Sequence, residues 1–192
     1  MEPAQTLVAD PPWLFGDKLP GQTRGASRNY PCLSTDELCA FPLPPLATDC
    51  RLFMWRVASM VDEALRVCVA WGFTPKSELV WIKTRDHFAL EDEGILPRAT
   101  IHFGMGRQVR MSHEVCIIAT RGRPPTLSRS IRSVFFAHFG GTHSRKPERF
   151  FRIVERLSPG PYVELFARRL REGWTTYGNE LPGGAIHAEP SR

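Results

Sequence analysis

Lysine is scarce in this chain of 192 residues: only Lys18, Lys76, Lys83 and Lys146 contribute to 25 basic residues. Cysteine is sparse too. Cys32, Cys39, Cys50, Cys68 and Cys116 are scattered and odd in number, and no CxxC spacing occurs. That argues against a disulfide framework and a cysteine-based zinc site, and points to a reducing, cytoplasmic setting. No apolar run is long enough to span a bilayer, so no membrane role is expected. The start, Met1-Glu2-Pro3, lacks the charged-then-apolar pattern of a signal peptide. No internal repeat is visible, and the length suits one domain with a full core.

What is present is arginine. The formal net charge is +5. Seven arginines (98, 107, 110, 121, 123, 129 and 132) lie between Arg98 and Arg132, against a single acid, Glu114. The codon usage of a GC-rich genome also enriches arginine, and the distribution is more telling than the total. Such a local excess is the footprint expected for a polyanion, because guanidinium groups pair with phosphates and stack on bases. Arg107 and Arg110 are therefore candidate substrate contacts.

The chain is organised around Asp10-Pro11-Pro12-Trp13. The apolar run Thr6-Leu7-Val8-Ala9 reads as a buried strand, and two prolines stop it because neither can donate to a ladder. A carboxylate, rigid carbonyls and an indole thus gather at the carboxyl end of a strand, where open α/β sheets bind ligands. The adenine amino group is a poor nucleophile, since its lone pair is delocalised into the ring. Asp10 and the Pro11 carbonyl can each accept one of its N–H bonds, draw the nitrogen toward tetrahedral shape and free the lone pair. Trp13 offers a flat face on which to stack the base. A strand ending in a Pro-Pro turn over a core tryptophan would look the same.

Residues 14–33 and 84–113 lack a helical or strand period and read as long active-site and substrate loops. Ser34 or Thr35 caps a short helix. Arg51–Arg56 reads as a strand, Ser59 as the cap of a helix with Met60, Ala64, Cys68 and Trp71 on its apolar face, and Glu78–Lys83 as the next strand. That order predicts a parallel pair joined by a crossover helix. Further strands are expected at Glu114–Ala119, Arg132–Ala137, Tyr162–Ala167 and Trp174–Tyr177. Pro147 suits the first position of a helix that buries Phe150, Val154 and Leu157 and pairs Glu148 with Arg152 outside. Lys146, just ahead of it, adds charge to a helix N-terminus that suits an anion such as a carboxylate.

These residues together resemble the MT-A70-like family of S-adenosylmethionine-dependent N6-adenine methyltransferases. The resemblance runs from Leu7 to Leu181. It rests on Ala9-Asp10-Pro11-Pro12-Trp13, Tyr30 to Glu37, Leu52-Phe53-Met54-Trp55, Trp71-Gly72-Phe73, Trp81-Ile82-Lys83-Thr84, Glu114 with its strand, Ser144 to Pro147, Ser158-Pro159-Gly160, Glu164-Leu165-Phe166 and Gly178-Asn179, in that order. It implies an α/β, Rossmann-like methyltransferase fold: a mostly parallel sheet flanked by helices in a single domain over 1–181; the small, polar composition of 182–192 reads as a disordered tail. It implies S-adenosylmethionine as cofactor, with the catalytic motif ahead of the cofactor motifs.

Residue by residue, Asp10, Pro11, Pro12 and Trp13 match the catalytic motif. Asp10, Lys146, Arg168, Asn179 and Glu180 match cofactor positions, Glu180 standing where relatives have glutamine. Tyr30, Glu114 and Ser144 match positions lining the target-base pocket. Larger members carry an upstream strand with a cofactor-contacting acid, and nothing ahead of Leu7 matches it. After Arg168, Arg169-Leu170-Arg171-Glu172 replaces a His-Asn pair that touches the cofactor in relatives.

The expected partner is nucleic acid, turned base-out into the pocket. DNA is favoured over RNA, because no RNA-binding module is recognisable. An RNA N6-adenosine methyltransferase and an inactive nucleic-acid-binding partner subunit are the alternatives, and a homodimer is left open. The intact Asp10 speaks against the inactive subunit.

Overall fold

The strand β1 (Ala4–Ala9) is buried along almost its whole length and lies in the middle of the molecule. The computed structural model describes residues 2–14, 32–85, 101–104, 108–140, 145–179, 181 and 187–188. After β1 come α1 (Thr35–Cys39), β2 (Leu46–Arg56), α2 (Val61–Ala70), β3 (Thr74–Thr84), β4 (His113–Arg121), β5 (Val134–His138), α3 (Glu148–Leu157), β6 (Tyr162–Leu165), β7 (Trp174–Tyr177) and β8 (His187–Ala188). The strands form one sheet in the order β5-β3-β4-β2-β1-β6-β7-β8. Six run one way, and only β4 and β8 run against them. Helices flank this mostly parallel sheet, a Rossmann-like methyltransferase architecture.

Both faces of the sheet are covered, which is why its central strands read as unbroken apolar runs. In β2, Leu52 and Met54 join the core under α1 and α2, while Phe53 and Trp55 join the core under α3. Phe150 of α3 meets the Trp55 ring at 4.8 Å and the Phe53 ring edge-on at 6.2 Å. A phenylalanine buried this fully contributes about 2 kcal/mol.

Local chemistry sets the helix ends. Ser34 caps α1 in a capping box: Glu37 N–H donates to Ser34 Oγ, and Ser34 N–H donates to Glu37 Oε2 at 2.7 Å. Gly72, at φ +82°, ends the α2 segment. The cap of α2 is Met60 rather than Ser59, and no side chain bonds there. Pro147 is the cap of α3, one position ahead of where it was expected.

The topology corrects one expectation. β2, α2 and β3 do follow as strand, helix, strand, and β2 and β3 run the same way. They are not neighbours, because β4 sits between them, antiparallel to both. The reason is burial: Val115-Cys116-Ile117-Ile118-Ala119 is apolar throughout and takes the doubly covered place, whereas Thr74, Ser77 and Glu78 of β3 stay exposed. Within the expected tail, His187–Ala188 pairs with Thr175 and Thr176 of β7, and the rest of it lies outside the described residues.

Candidate active site

The carboxyl ends of β1, β3 and β6 share one edge of the sheet. Because β4 runs backward, it brings its beginning to that edge. Asp10, Lys83, Glu164 and Glu114 arrive there from four strands, and Lys146 arrives from the approach to α3. Four of these charges alternate in a chain. Lys83 Nζ lies 2.6 Å from Glu114 Oε1, Lys146 Nζ 3.2 Å from Glu114 Oε2, and Lys146 Nζ 2.7 Å from Asp10 Oδ2. Their side chains are 8% (Lys146) to 27% (Glu114) exposed. Lys83 also lies 4.7 Å from the Phe139 ring centre, and Lys146 5.1 Å from that of Trp55.

The chain of charges explains the acidities. Burial pushes Glu114 up, but Lys146 and Lys83 outweigh it and hold the carboxyl at about 2. Burial works against the charge on Lys146, yet Asp10 and Glu114 raise its pKa above the ordinary lysine value. For Asp10 burial prevails over the Lys146 charge, so its pKa is raised. Lys146 was expected to contact the cofactor; the anions it meets here are Asp10 and Glu114.

The turn after β1 is fixed by its own backbone. Trp13 N–H donates to Pro11 O at 2.9 Å, Leu33 N–H to Pro12 O at 2.8 Å, and Leu14 N–H to Leu33 O at 2.9 Å. Asp10 Oδ1 takes no hydrogen bond from any described residue, and the Pro11 carbonyl keeps a second lone pair. Trp13 differs from expectation. It is 4% exposed, packs in the core with Leu38, and its indole N–H donates to Trp55 O at 3.0 Å. An indole held this way braces the turn and presents no open face to a base.

Beside Asp10 lies a small pocket that opens to solvent. Lys146, Arg145, Arg168 and Arg169 line it as cations, Asp10 and Glu164 as acids, and Phe151 and Phe166 as apolar walls. Phe166 holds φ +61°, a strained conformation of the kind that concentrates at ligand sites. Glu164 is 8% exposed, and its Oε2 has no hydrogen-bond partner among the described residues. Burial pushes its carboxyl up to about 7. Glu148 does not pair with Arg152 as expected; it takes Arg169 at 2.7 Å and Arg171 at 2.6 Å.

Asp10, Lys146 and Arg168 therefore meet at one pocket, with Glu114 behind them. Asn179 is exposed just past β7 and does not line the pocket. Ahead of it, a Cβ on Gly178 would collide with the Ala167 carbonyl, so the two segments approach as only glycine allows. Arg110 is exposed away from the pocket, its guanidinium 5.0 Å from the Phe103 ring centre. Tyr30, Arg107, Ser144 and Glu180 lie outside the described residues. Sequence reasoning assigned no role to Lys83 or Glu164. The signal was there: Glu164 is a charge inside an otherwise apolar strand, and Lys83 directly follows the apolar run Leu79-Val80-Trp81-Ile82. No cluster of three or more His, Cys, Asp or Glu suited to a metal occurs among the described residues, nor any helix long and apolar enough to cross a membrane.

The MT-A70 family profile matches residues 4–180. An N(6)-adenosine-methyltransferase MT-A70-like protein of Drosophila melanogaster is 33% identical over 182 residues, 92% of this chain and 27% of that protein. The human N(6)-adenosine-methyltransferase catalytic subunit METTL3 is 31% identical over 92% of this chain and 28% of its own length. The Type II methyltransferase M.MunI of Mycoplasma sp is 29% identical over 95% of this chain and 79% of its own length. The chain thus spans less than a third of these two eukaryotic relatives and about four fifths of the bacterial one. With the matching profile running from the start of β1 to the residue after Asn179, the chain belongs to the MT-A70 family.

Proposed function

We propose that this chain methylates the N6 amino group of adenine in nucleic acid, DNA ahead of RNA, with S-adenosylmethionine as donor. One observation carries the reading: Asp10, at the end of β1, faces the pocket with one oxygen held by Lys146 and the other unclaimed by any described residue. That oxygen and the second lone pair of Pro11 O are two fixed acceptors for the two N–H bonds of an exocyclic amine. Acceptors fixed in advance need no reorganisation as the nitrogen develops charge. When the nitrogen gains a carbon it must shed a proton. Asp10, its pKa raised by burial, is the acid–base group beside it.

When bound, S-adenosylmethionine supplies the activated methyl group. The pocket fits it chemically: cations and acids face each other across two phenylalanine walls, and a buried carboxylate oxygen awaits a donor. Arg168 and Lys146 line that space, and the family resemblance assigns Asn179 and Glu180 to the ribose. Arg110, just ahead of β4 at the edge that holds Asp10, supplies a phosphate contact outside the pocket, whereas Arg121 and Arg123 at the far end of β4 and Arg129 and Arg132 ahead of β5 lie toward the opposite edge. A Type II methyltransferase among the relatives supports DNA, and the N(6)-adenosine-methyltransferases among them keep RNA as the alternative.

The test is transfer of labelled methyl to DNA and RNA oligonucleotides, with the product base identified by mass spectrometry. N6-methyladenine is expected in DNA, and Asp10→Ala is expected to lose at least about 100-fold in rate while remaining folded. An active Asp10→Ala protein rejects the mechanism, and product in RNA alone rejects the substrate.

A further inference from the structure

Lys146, Arg169 and Arg171 act on Glu164 and each has its own acid, while Arg145 and Arg168 line the same pocket. Lys146, from the approach to α3, is held by Asp10 and Glu114. Arg169 and Arg171, which follow β6, are held by Glu148, Arg171 through both Nη1 at 2.6 Å and Nη2 at 2.9 Å. From β7 the residue in register with Glu164 is Thr176, which carries no charge. Arg171 Nε is also buried without a partner among the described residues, yet it does not bond Glu164. Glu164 is therefore the acid left over: more than nine tenths buried, lining the pocket, with Oε2 unsatisfied. A carboxylate held this way costs stability, and a chain keeps such a group where a ligand completes it.

We propose that Glu164 is a cofactor-binding residue whose buried carboxylate answers the positive charge of S-adenosylmethionine and so favours the charged donor over its neutral thioether product. This rests on the methyltransferase reading above. The two ligands share their adenosine and amino-acid parts and differ by the sulfonium methyl and its charge. Two phenylalanine walls lower the local dielectric, and there one missing charge weighs more than in water. Spent product then leaves a pocket that its predecessor entered favourably. Glu164 must be ionised to act. With Asp10 raising its pKa and Arg171, Arg169 and Lys146 lowering it against the larger effect of burial, its midpoint falls at about 7.

Calorimetric titration of the full chain with S-adenosylmethionine and S-adenosylhomocysteine, from about pH 6 to about pH 7.5, tests this. Donor affinity is expected to rise about five- to ten-fold across that range as Glu164 ionises, and product affinity to change less than about two-fold. Glu164→Gln keeps the shape and removes the charge. It is expected to bind the donor about ten-fold more weakly at the higher pH, with no pH slope, and to melt no lower than the parent protein. A Gln variant that keeps both the slope and the donor preference overturns the assignment. So does one that loses both ligands equally and melts lower, which marks a purely structural residue. If the unaltered chain binds neither ligand at any pH, the cofactor reading itself fails and takes this assignment with it.

Discussion

Lys146→Met removes the one cation shared by Asp10 and Glu114 and leaves similar volume. In the parent protein Glu114 titrates at about 2 rather than 4.5, a difference worth roughly 3 kcal/mol at neutral pH. With 27% of its side chain exposed, about 2 kcal/mol is the sounder figure. The pKa is depressed, so this stability is present above pH 4.5 and is lost as pH falls through 2. In the variant Lys83 still holds Glu114, but Asp10 has lost its Lys146 hydrogen bond and keeps only the more distant charge of Arg168 among the described residues. Breaking a buried pair from one side costs about 3–5 kcal/mol. Asp10, already raised by burial, then rises further and recovers stability by taking up a proton as pH falls. Urea unfolding should show a deficit of about 3–5 kcal/mol at about pH 7.5 that shrinks by half or more at about pH 5. Adding Asp10→Asn should recover part of the deficit, a non-additive result. A deficit below about 1 kcal/mol, or one independent of pH, refutes the counter-ion argument.

Four further outcomes are expected. Arg51→Ala frees the carbonyls of Pro124, Pro125 and Leu157 and the Thr126 hydroxyl from one buried guanidinium, and should cost about 3–5 kcal/mol in denaturant unfolding. Phe150→Ala opens a cavity between Phe53, Trp55 and Phe151 and should cost about 3–5 kcal/mol by the same measurement. Gly178→Ala drives a methyl into the Ala167 carbonyl and should lower the melting temperature by an amount worth about 1–3 kcal/mol; an unchanged melting curve contradicts the close approach. Glu164 titrates at about 7 rather than 4.5, so the native state binds its proton more tightly than the unfolded chain. Its contribution is complete below pH 4.5 and declines by roughly 3 kcal/mol as pH rises through 7; Glu164→Gln should abolish that slope in unfolding experiments.

Strands were legible where apolar runs were, because burial on both faces writes itself into composition. Leu52-Phe53-Met54-Trp55 and Val115 to Ala119 needed nothing beyond periodicity and length. The end of β1 was legible because two prolines cannot continue a ladder. The position of β4 was not, since strand neighbours are chosen by comparing burial across the whole chain rather than within a segment. Asp10, Glu114 and Lys146 could be named from sequence, but the ion pairs joining them could not. Those depend on β4 running backward, which local pattern does not encode. Trp13 shows the same limit: an indole beside a turn reads equally as a platform or as a wedge, and only the Trp55 carbonyl decides. Glu148 had a helical neighbour at the right spacing and took two arginines from another segment instead. Helix-surface pairs are weak and give way to bidentate ones.

The two long connections leave the sheet from anchored roots. Leu14 and Leu33 are tied to each other across the catalytic turn, and Trp81 and Glu114 face each other across β3 and β4. Closure entropy grows only slowly with the number of residues between such roots. Either span can therefore be lengthened, shortened or exchanged for a foreign one while Asp10 and Glu114 stay where they are.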